Sequence, residues 1–217
     1  MVSRVDQVRA SYDAVARRYA EEIAGELAGK PVDRALYRLF AELVGGGTVG
    51  DVGCGPGHVT AHLAELGLHP VGIDPSPGMI EVARSREPGL EFVNGSFAHL
   101  PVDDGGWVGA VAPYSIIHVP PPDRPVAWAE LARAVRPGGW LLVAFHVEEA
   151  GAPPGSTVHL AEWWGYRIDL DFHFLDPAEL SAELARAGFT VMVRTDRQPW
   201  PDVEHQSRRS YLLSRRE

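Results

Sequence analysis

The segment Gly47–Ser85, GTVGDVGCGPGHVTAHLAELGLHPVGIDPSPGMIEVARS, decides the fold. It opens on a short apolar run ending in Asp51 and passes through a turn containing Gly53, Gly55 and Gly57. A stretch of helical spacing follows, then a second apolar run that closes on Asp74. Strand, glycine-rich turn, helix, strand and acid is the order of a unit that cradles an adenosine-containing cofactor.

The turn narrows the choice of cofactor. A triphosphate loop ends in a lysine followed by Ser or Thr, so that an ammonium meets the phosphates. The turn GCGPGHVT has no lysine. A dinucleotide turn spaces its glycines G-x-G-x-x-G, and here His58 stands where the third glycine belongs. Asp51, at the end of the first strand, sits badly beside a pyrophosphate. It suits a ligand carrying an ammonium and a sulfonium. Asp74 can accept hydrogen bonds from ribose hydroxyls in either cofactor class.

Outward from this unit, short apolar runs alternate with helical stretches. Strands are expected near 48–52, 70–74, 90–94, 107–113 and 139–146, and helices over 58–66, 77–86 and 124–135. That alternation predicts an α/β fold with a mostly parallel sheet and helices on both faces. Residues 6–44 read as two helices separated by Gly29-Lys30-Pro31. After Glu149 the pattern breaks into AGAPPGSTVHLAEWWGYRIDLDFHF, which has no helical period and reads as a long loop, a lid or binding element. Asp176, Pro177 and Glu179 then start a helix that stops at Gly188. FTVMVRT and SRRSYLLS read as two closing strands.

VGDVGCGPG with GID resembles the first two motifs of the class I S-adenosylmethionine-dependent methyltransferases. NGSFAHLPV, GAVAPYSIIHV and ELARAVRPGGWLLVAFH follow in the family's order, and the ending is similar to that of small bacterial members. The resemblance runs over about residues 8–217. It implies a Rossmann-like seven-stranded sheet whose last strand is antiparallel and inserted next to the fifth. It also implies S-adenosylmethionine as cofactor, S-adenosylhomocysteine as product, and methyl transfer to an O, N or C nucleophile. A single domain over 1–217 is expected, with a helical cap (1–45), a cofactor-binding core (46–149), a substrate-side lid (150–174) and a C-terminal helix and strands (175–217). Two departures stand out. Ser96 occupies a position where many members place an acid against the adenine amino group, and Val108-Gly109 stands where many read Phe-Asp.

Candidate cofactor residues are Asp51, Gly53, Cys54, Gly55 and Gly57 at the first turn, Asp74 and Pro75 at the second, and Met79, which either borders the adenine or packs in the core. Ser96 and Phe97 are the adenine candidates. The resemblance suggests that the N-terminal helix folds over the cofactor, with Tyr12, Tyr19 or Arg17 meeting the methionine carboxylate. The alternative is an amphipathic helix with Arg17 in solvent. Tyr114 is expected near the sulfonium. His118 and His146 end strand segments facing the ligand crevice, either as general bases or as structural imidazoles. His159, Trp163, Trp164, Tyr166 and His173 are candidates for the acceptor pocket, with the tryptophans alternatively a plug under the loop. His58 and His62 lie four apart on one helix face, but nothing else supports a metal site.

The bulk numbers exclude several classes. A net charge of −9 argues against general affinity for nucleic acid. No apolar run spans a bilayer, and the N-terminus has no signal-peptide core, so a cytoplasmic protein is expected. One cysteine allows no internal disulfide. The expected partner is a small-molecule methyl acceptor bound by a monomer or homodimer. Two other functions stay open: an S-adenosylmethionine-binding protein without turnover, and a nicotinamide-dependent oxidoreductase, which the glycine spacing disfavours.

Overall fold

The computed structural model describes residues 4–217. Nine strands and six α-helices are present among them. The strands are β1 (Thr48–Val52), β2 (His69–Asp74), β3 (Glu91–Asn94), β4 (Trp107–Pro113), β5 (Val135–Glu148), β6 (Thr157–Trp163), β7 (Tyr166–His173), β8 (Phe189–Arg197) and β9 (Arg208–Arg216). The helices are α1 (Arg4–Ile23), α2 (Pro31–Val44), α3 (His58–Glu65), α4 (Pro77–Arg86), α5 (Arg124–Ala134) and α6 (Pro177–Arg186).

Seven strands form one sheet in the order β3-β2-β1-β4-β5-β9-β8. Strands β1 to β5 are mutually parallel, and β9 runs antiparallel between β5 and β8. This is the α/β architecture the alternating pattern predicted, and the last strand is inserted next to the fifth, as the resemblance implied. The core of β5, WLLVAFHV, is buried at nearly every residue because helices cover both faces. Val143, Phe145, Trp128 and Leu131 centre the apolar layer on one face, and Phe40, Leu63, Val111 and Leu213 that on the other.

Local signals fix the helix starts. Ser76 caps α4 by accepting from the Met79 amide at 3.0 Å. Asp176 caps α6 by accepting from the Ala178 amide at 2.7 Å, with Pro177 at the first position. The chain order reverses between β1 and β4. That reversal opens a crevice at the carboxyl ends of the strands, the usual ligand position in open α/β sheets.

The 150–174 segment departs from the expected long loop. It forms an antiparallel hairpin, β6–β7, apart from the main sheet. Trp164 (φ 52°) and Gly165 (φ 82°) make its two-residue turn, the left-handed pair that a tight hairpin requires. Ile168 and Leu170 alternate inward and pack on Val15 of α1. The hairpin therefore buries its apolar face against the N-terminal helix.

Candidate functional site

A cavity of about 400 Å³ opens at the carboxyl ends of β1, β2, β3 and β4, roofed by α1. Gly53, Cys54 and Gly55 form part of its wall, together with Asp74, Pro75, Met79, Ser96, Phe97 and Tyr114. Tyr12 and Tyr19 project into it from α1.

The turn after β1 takes the shape the sequence demands. Gly53 and Gly55 have φ of 79° and 53°, a region costly for any residue with a Cβ. A Cβ on Gly53 would stand 2.2 Å from that of Ser115, and one on Gly55 would point toward Tyr19. Gly57 caps α3 and abuts Phe92, away from the cavity wall. Cys54 is buried, and burial raises its thiol well above the ordinary range, so it is a packed filler and not a nucleophile.

Asp74 is held from both sides. One carboxylate oxygen accepts from the Gly55 amide at 2.9 Å, and the other accepts from the Ser76 amide at 2.9 Å. Each oxygen keeps a lone pair for a ligand hydroxyl. Burial raises its pKa to about 6 against those two bonds. Ser96 accepts from the Ala98 amide at 3.3 Å, which shapes the loop beside Phe97.

Asp51 departs from the expectation that it faces the ligand. It is fully buried one layer behind the wall. Its Oδ2 accepts from the Thr60 hydroxyl at 2.6 Å, while Oδ1 has no partner. Burial raises it to about 6, opposed by the Thr60 hydrogen bond and the nearby His58. Arg17 also departs from expectation. Its side chain is 86% exposed and faces Glu81 at 3.8 Å, outside the cavity. Helical geometry explains this, since Arg17 lies on the face of α1 opposite Tyr12 and Tyr19.

At the end of β4, Tyr114 adopts φ 54°, a strained conformation for an aromatic residue. Its amide donates to the Ala144 carbonyl at 2.8 Å. Its hydroxyl lies 2.7 Å from that of Tyr211 and 3.1 Å from Asp33 Oδ1, and Tyr211 is 3.0 Å from the same oxygen. Two hydroxyl protons serve three edges, so two edges are hydrogen bonds at any instant. Behind this triangle lies a buried ion cluster. Arg197 donates to Asp33 at 2.8 Å and to Glu204, and Arg209 approaches Glu204 at 3.2 Å. Lys30 stands 2.7 Å from Glu26 and 3.6 Å from Glu204, over the Tyr114 ring.

His118 lines the cavity with both nitrogens engaged. Nδ1 is 3.0 Å from the Asp171 carbonyl and Nε2 is 2.7 Å from the Tyr12 hydroxyl. The carbonyl only accepts, so Nδ1 carries the proton and Nε2 accepts from Tyr12. Burial depresses its pKa to about 4, against the Asp171 hydrogen bond. His146 bonds Ser207 at 2.6 Å and is depressed well below the ordinary range, by burial and then by Arg209.

The remaining acceptor candidates do not line the cavity. Trp163 and Trp164 stack on each other with centroids 4.5 Å apart and meet Tyr19 edge-on at 5.5 and 6.2 Å. His159 pairs with Asp171 at 3.0 Å on the surface, Tyr166 is exposed, and His173 bonds Thr157 at 2.8 Å. Sequence reasoning missed Glu26, Asp33, Tyr37 and Ser115, which all line the cavity, and gave His58 no ligand role. Glu26 and Asp33 lie in helical stretches with no motif around them, so only the fold brings them to the site.

Comparison with known proteins places the chain in a class. A family described as a methyltransferase domain matches residues 49–139. A demethylmenaquinone methyltransferase of Beutenbergia cavernae is 33% identical over 198 residues, 90% of this chain and 77% of that protein. One of Renibacterium salmoninarum is 33% identical over 144 residues, 65% of this chain but only 59% of that protein. Among solved structures, the DhpI–SAH complex matches with a TM-score of 0.75 and 22% identity, over 98% of this chain and 96% of that one. The chain belongs to the class I S-adenosylmethionine-dependent methyltransferases, enzymes whose cofactor is S-adenosylmethionine.

The residues present fit that cofactor. Asp74 offers two oriented acceptors in the wall, and Gly55 leaves room that a side chain would fill. The partnerless, buried Oδ1 of Asp51 lies behind the turn, where a cationic ligand would stabilise its charge.

Proposed function

We propose that the chain transfers a methyl group from S-adenosylmethionine to an oxygen, nitrogen or carbon nucleophile of a small molecule. The observation that carries this reading is that Asp74, the glycine turn and Tyr114 line one cavity under α1. The cofactor supplies a methyl carbon on a sulfonium, which leaves as a neutral thioether when a nucleophile attacks in line.

The chain's own residues bind, orient and exclude water. Asp74, fixed by two backbone amides, accepts from the ribose hydroxyls. The Ser96–Phe97 loop borders the adenine. Tyr12 and Tyr19 roof the chamber. Tyr114, pinned by its hydroxyl and by its amide, gives the acceptor side a rigid wall at the end of β4. His118 is neutral and already accepts from Tyr12, so it acts as a brace between α1 and β7. The acceptor then ionises by its own acidity or attacks as a neutral nucleophile.

The net charge of −9 and a cavity of about 400 Å³ favour a small acceptor over nucleic acid. The relatives act on demethylmenaquinone, a small molecule, which makes it the first acceptor to test. The chain is expected to act as one domain, as a monomer or homodimer in the cytoplasm. The test is S-adenosylhomocysteine formation over a panel of small phenols, amines, acids and demethylmenaquinone. Turnover with at least one acceptor class supports the proposal. Cofactor binding without turnover across the panel would favour a binding protein instead.

A further inference from the structure

The cofactor ends in an α-amino acid, a zwitterion that any tight site must accommodate. Of the residues the sequence offered for its carboxylate, Arg17 is outside the cavity, while Tyr12 and Tyr19 line it. Strand order shows where that end must lie. Ser96 follows β3, Asp74 ends β2, and the glycine turn follows β1, so these elements stand side by side in the order β3-β2-β1. A ligand with adenine at β3 and ribose at β2 carries its amino acid over the turn after β1. Beyond that turn the wall is built by His58, the first residue of α3, and by Glu26, from the short 3-10 turn between α1 and α2.

These two residues form a loose pair. His58 Nε2 is 3.5 Å from Glu26 Oε1, and His58 Nδ1 has no partner. Lys30, itself buried, holds the other carboxylate oxygen of Glu26 at 2.7 Å. Burial opposes the charge on Glu26, but His58 and Lys30 outweigh it and hold the carboxyl at about 2, so Glu26 is an anion. Among the described residues lining the cavity three are basic: Arg4 is tied to Asp171 at 2.6 Å, His118 has both ring nitrogens engaged, and His58 has an Nδ1 with no partner. Tyr19 reaches the same turn, its ring 3.9 Å from where a Cβ on Gly55 would stand.

We propose that Glu26 and His58 are the receptor for the amino-acid end of the cofactor, Glu26 accepting from its ammonium and His58 facing its carboxylate. The inference rests on the S-adenosylmethionine reading above. A zwitterion between the two residues sets its ammonium against the Glu26 carboxylate and its carboxylate against a ring N–H of His58, two groups 3.5 Å apart in the structure. Lys30 acts behind Glu26 as a positioning residue, keeping one carboxylate oxygen occupied and the other turned to the ligand.

The experiment compares S-adenosylhomocysteine with 5′-methylthioadenosine by calorimetry. The two share adenosine and a thioether sulfur, but only the first carries the amino acid. Glu26→Gln and His58→Gln should each weaken S-adenosylhomocysteine by roughly tenfold or more, the size expected for losing a buried charged partner, and leave 5′-methylthioadenosine within about twofold. Equal losses for both ligands would mean a purely structural role and overturn the proposal, as would no loss for either. A wild-type protein that binds neither ligand would instead sink the cofactor reading itself, and this inference with it. If Glu26→Gln unfolds because Lys30 loses its nearer carboxylate, the Glu26→Gln/Lys30→Met double variant removes that ammonium as well and the same comparison decides.

Discussion

The Tyr12 hydroxyl lies 2.7 Å from Nε2 of His118, joining α1 to the segment after β4 across the cavity. Nδ1 donates to the Asp171 carbonyl at 3.0 Å, and burial favours the neutral imidazole, which is held at both nitrogens. His118 has its folded pKa depressed to about 4. A depressed histidine adds stability that is present above its unfolded value and lost as pH falls through the folded one. On going from pH 7.5 to 5, the stability gap between wild type and His118→Gln should therefore shrink by ~2 kcal/mol in denaturant titrations. If His118 is instead the catalytic base, His118→Ala should cut turnover by roughly 10²–10⁴-fold with cofactor affinity intact. The brace reading predicts that stability and cofactor affinity fall with it.

Asp51 should behave in the opposite sense. Its folded pKa is raised to about 6, so its contribution is present below the ordinary carboxylate value and lost as pH rises through 6. Asp51→Asn is expected to make the ligand-free protein more stable at pH 7.5 by ~2 kcal/mol, and to lose that advantage by pH 4. The same variant should bind S-adenosylhomocysteine more weakly. A variant less stable than wild type at pH 7.5 would show that Thr60 and His58 already compensate the charge.

The stacked Trp163 and Trp164 rest on Tyr19, a cavity residue. Trp163→Ala should cost ~1–3 kcal/mol of stability from partly buried aromatic contacts and weaken cofactor binding through Tyr19. Thermal melts with and without S-adenosylhomocysteine separate the two effects. A change confined to acceptor KM would restore the acceptor-pocket role that the sequence suggested for these tryptophans.

Glu204 receives Arg197 and Arg209 and has Lys30 at 3.6 Å, all of them buried. Removing one partner of a buried ionic cluster leaves the others uncompensated. Glu204→Ala should destabilise by ~3–5 kcal/mol, and added salt should not rescue it, because buried charges are poorly screened. Destabilisation below ~1 kcal/mol would mean that water enters the cluster and solvates it.

The sheet was legible because each parallel strand is a short apolar run followed by a helical period, a pattern set by local burial. The glycine turn was legible because positive φ at Gly53 and Gly55 demands glycine. The β6–β7 hairpin was legible in principle. Ile168, Leu170 and Phe172 alternate, and Trp164-Gly165 supplies the turn, but proline and glycine around 151–155 drew the reading toward a loop. Arg17 was misplaced although its position on the helix already put it opposite Tyr12 and Tyr19. No reading of one chain could assemble Asp33, Arg197, Glu204 and Arg209, because their contacts are made by strand pairing and helix docking across 164 or more residues in the case of Asp33.

The central claim is that Asp74 and the glycine turn hold an adenosine-bearing sulfur cofactor. Calorimetric titration of wild type and Asp74→Ala with S-adenosylhomocysteine and with NAD tests it most directly. The account predicts one S-adenosylhomocysteine bound per chain, no NAD binding, and a loss of ~1.5–3 kcal/mol in Asp74→Ala for the charged hydrogen bonds to the ribose. Tight NAD binding without S-adenosylhomocysteine binding, or an Asp74→Ala variant that binds like wild type, would contradict it.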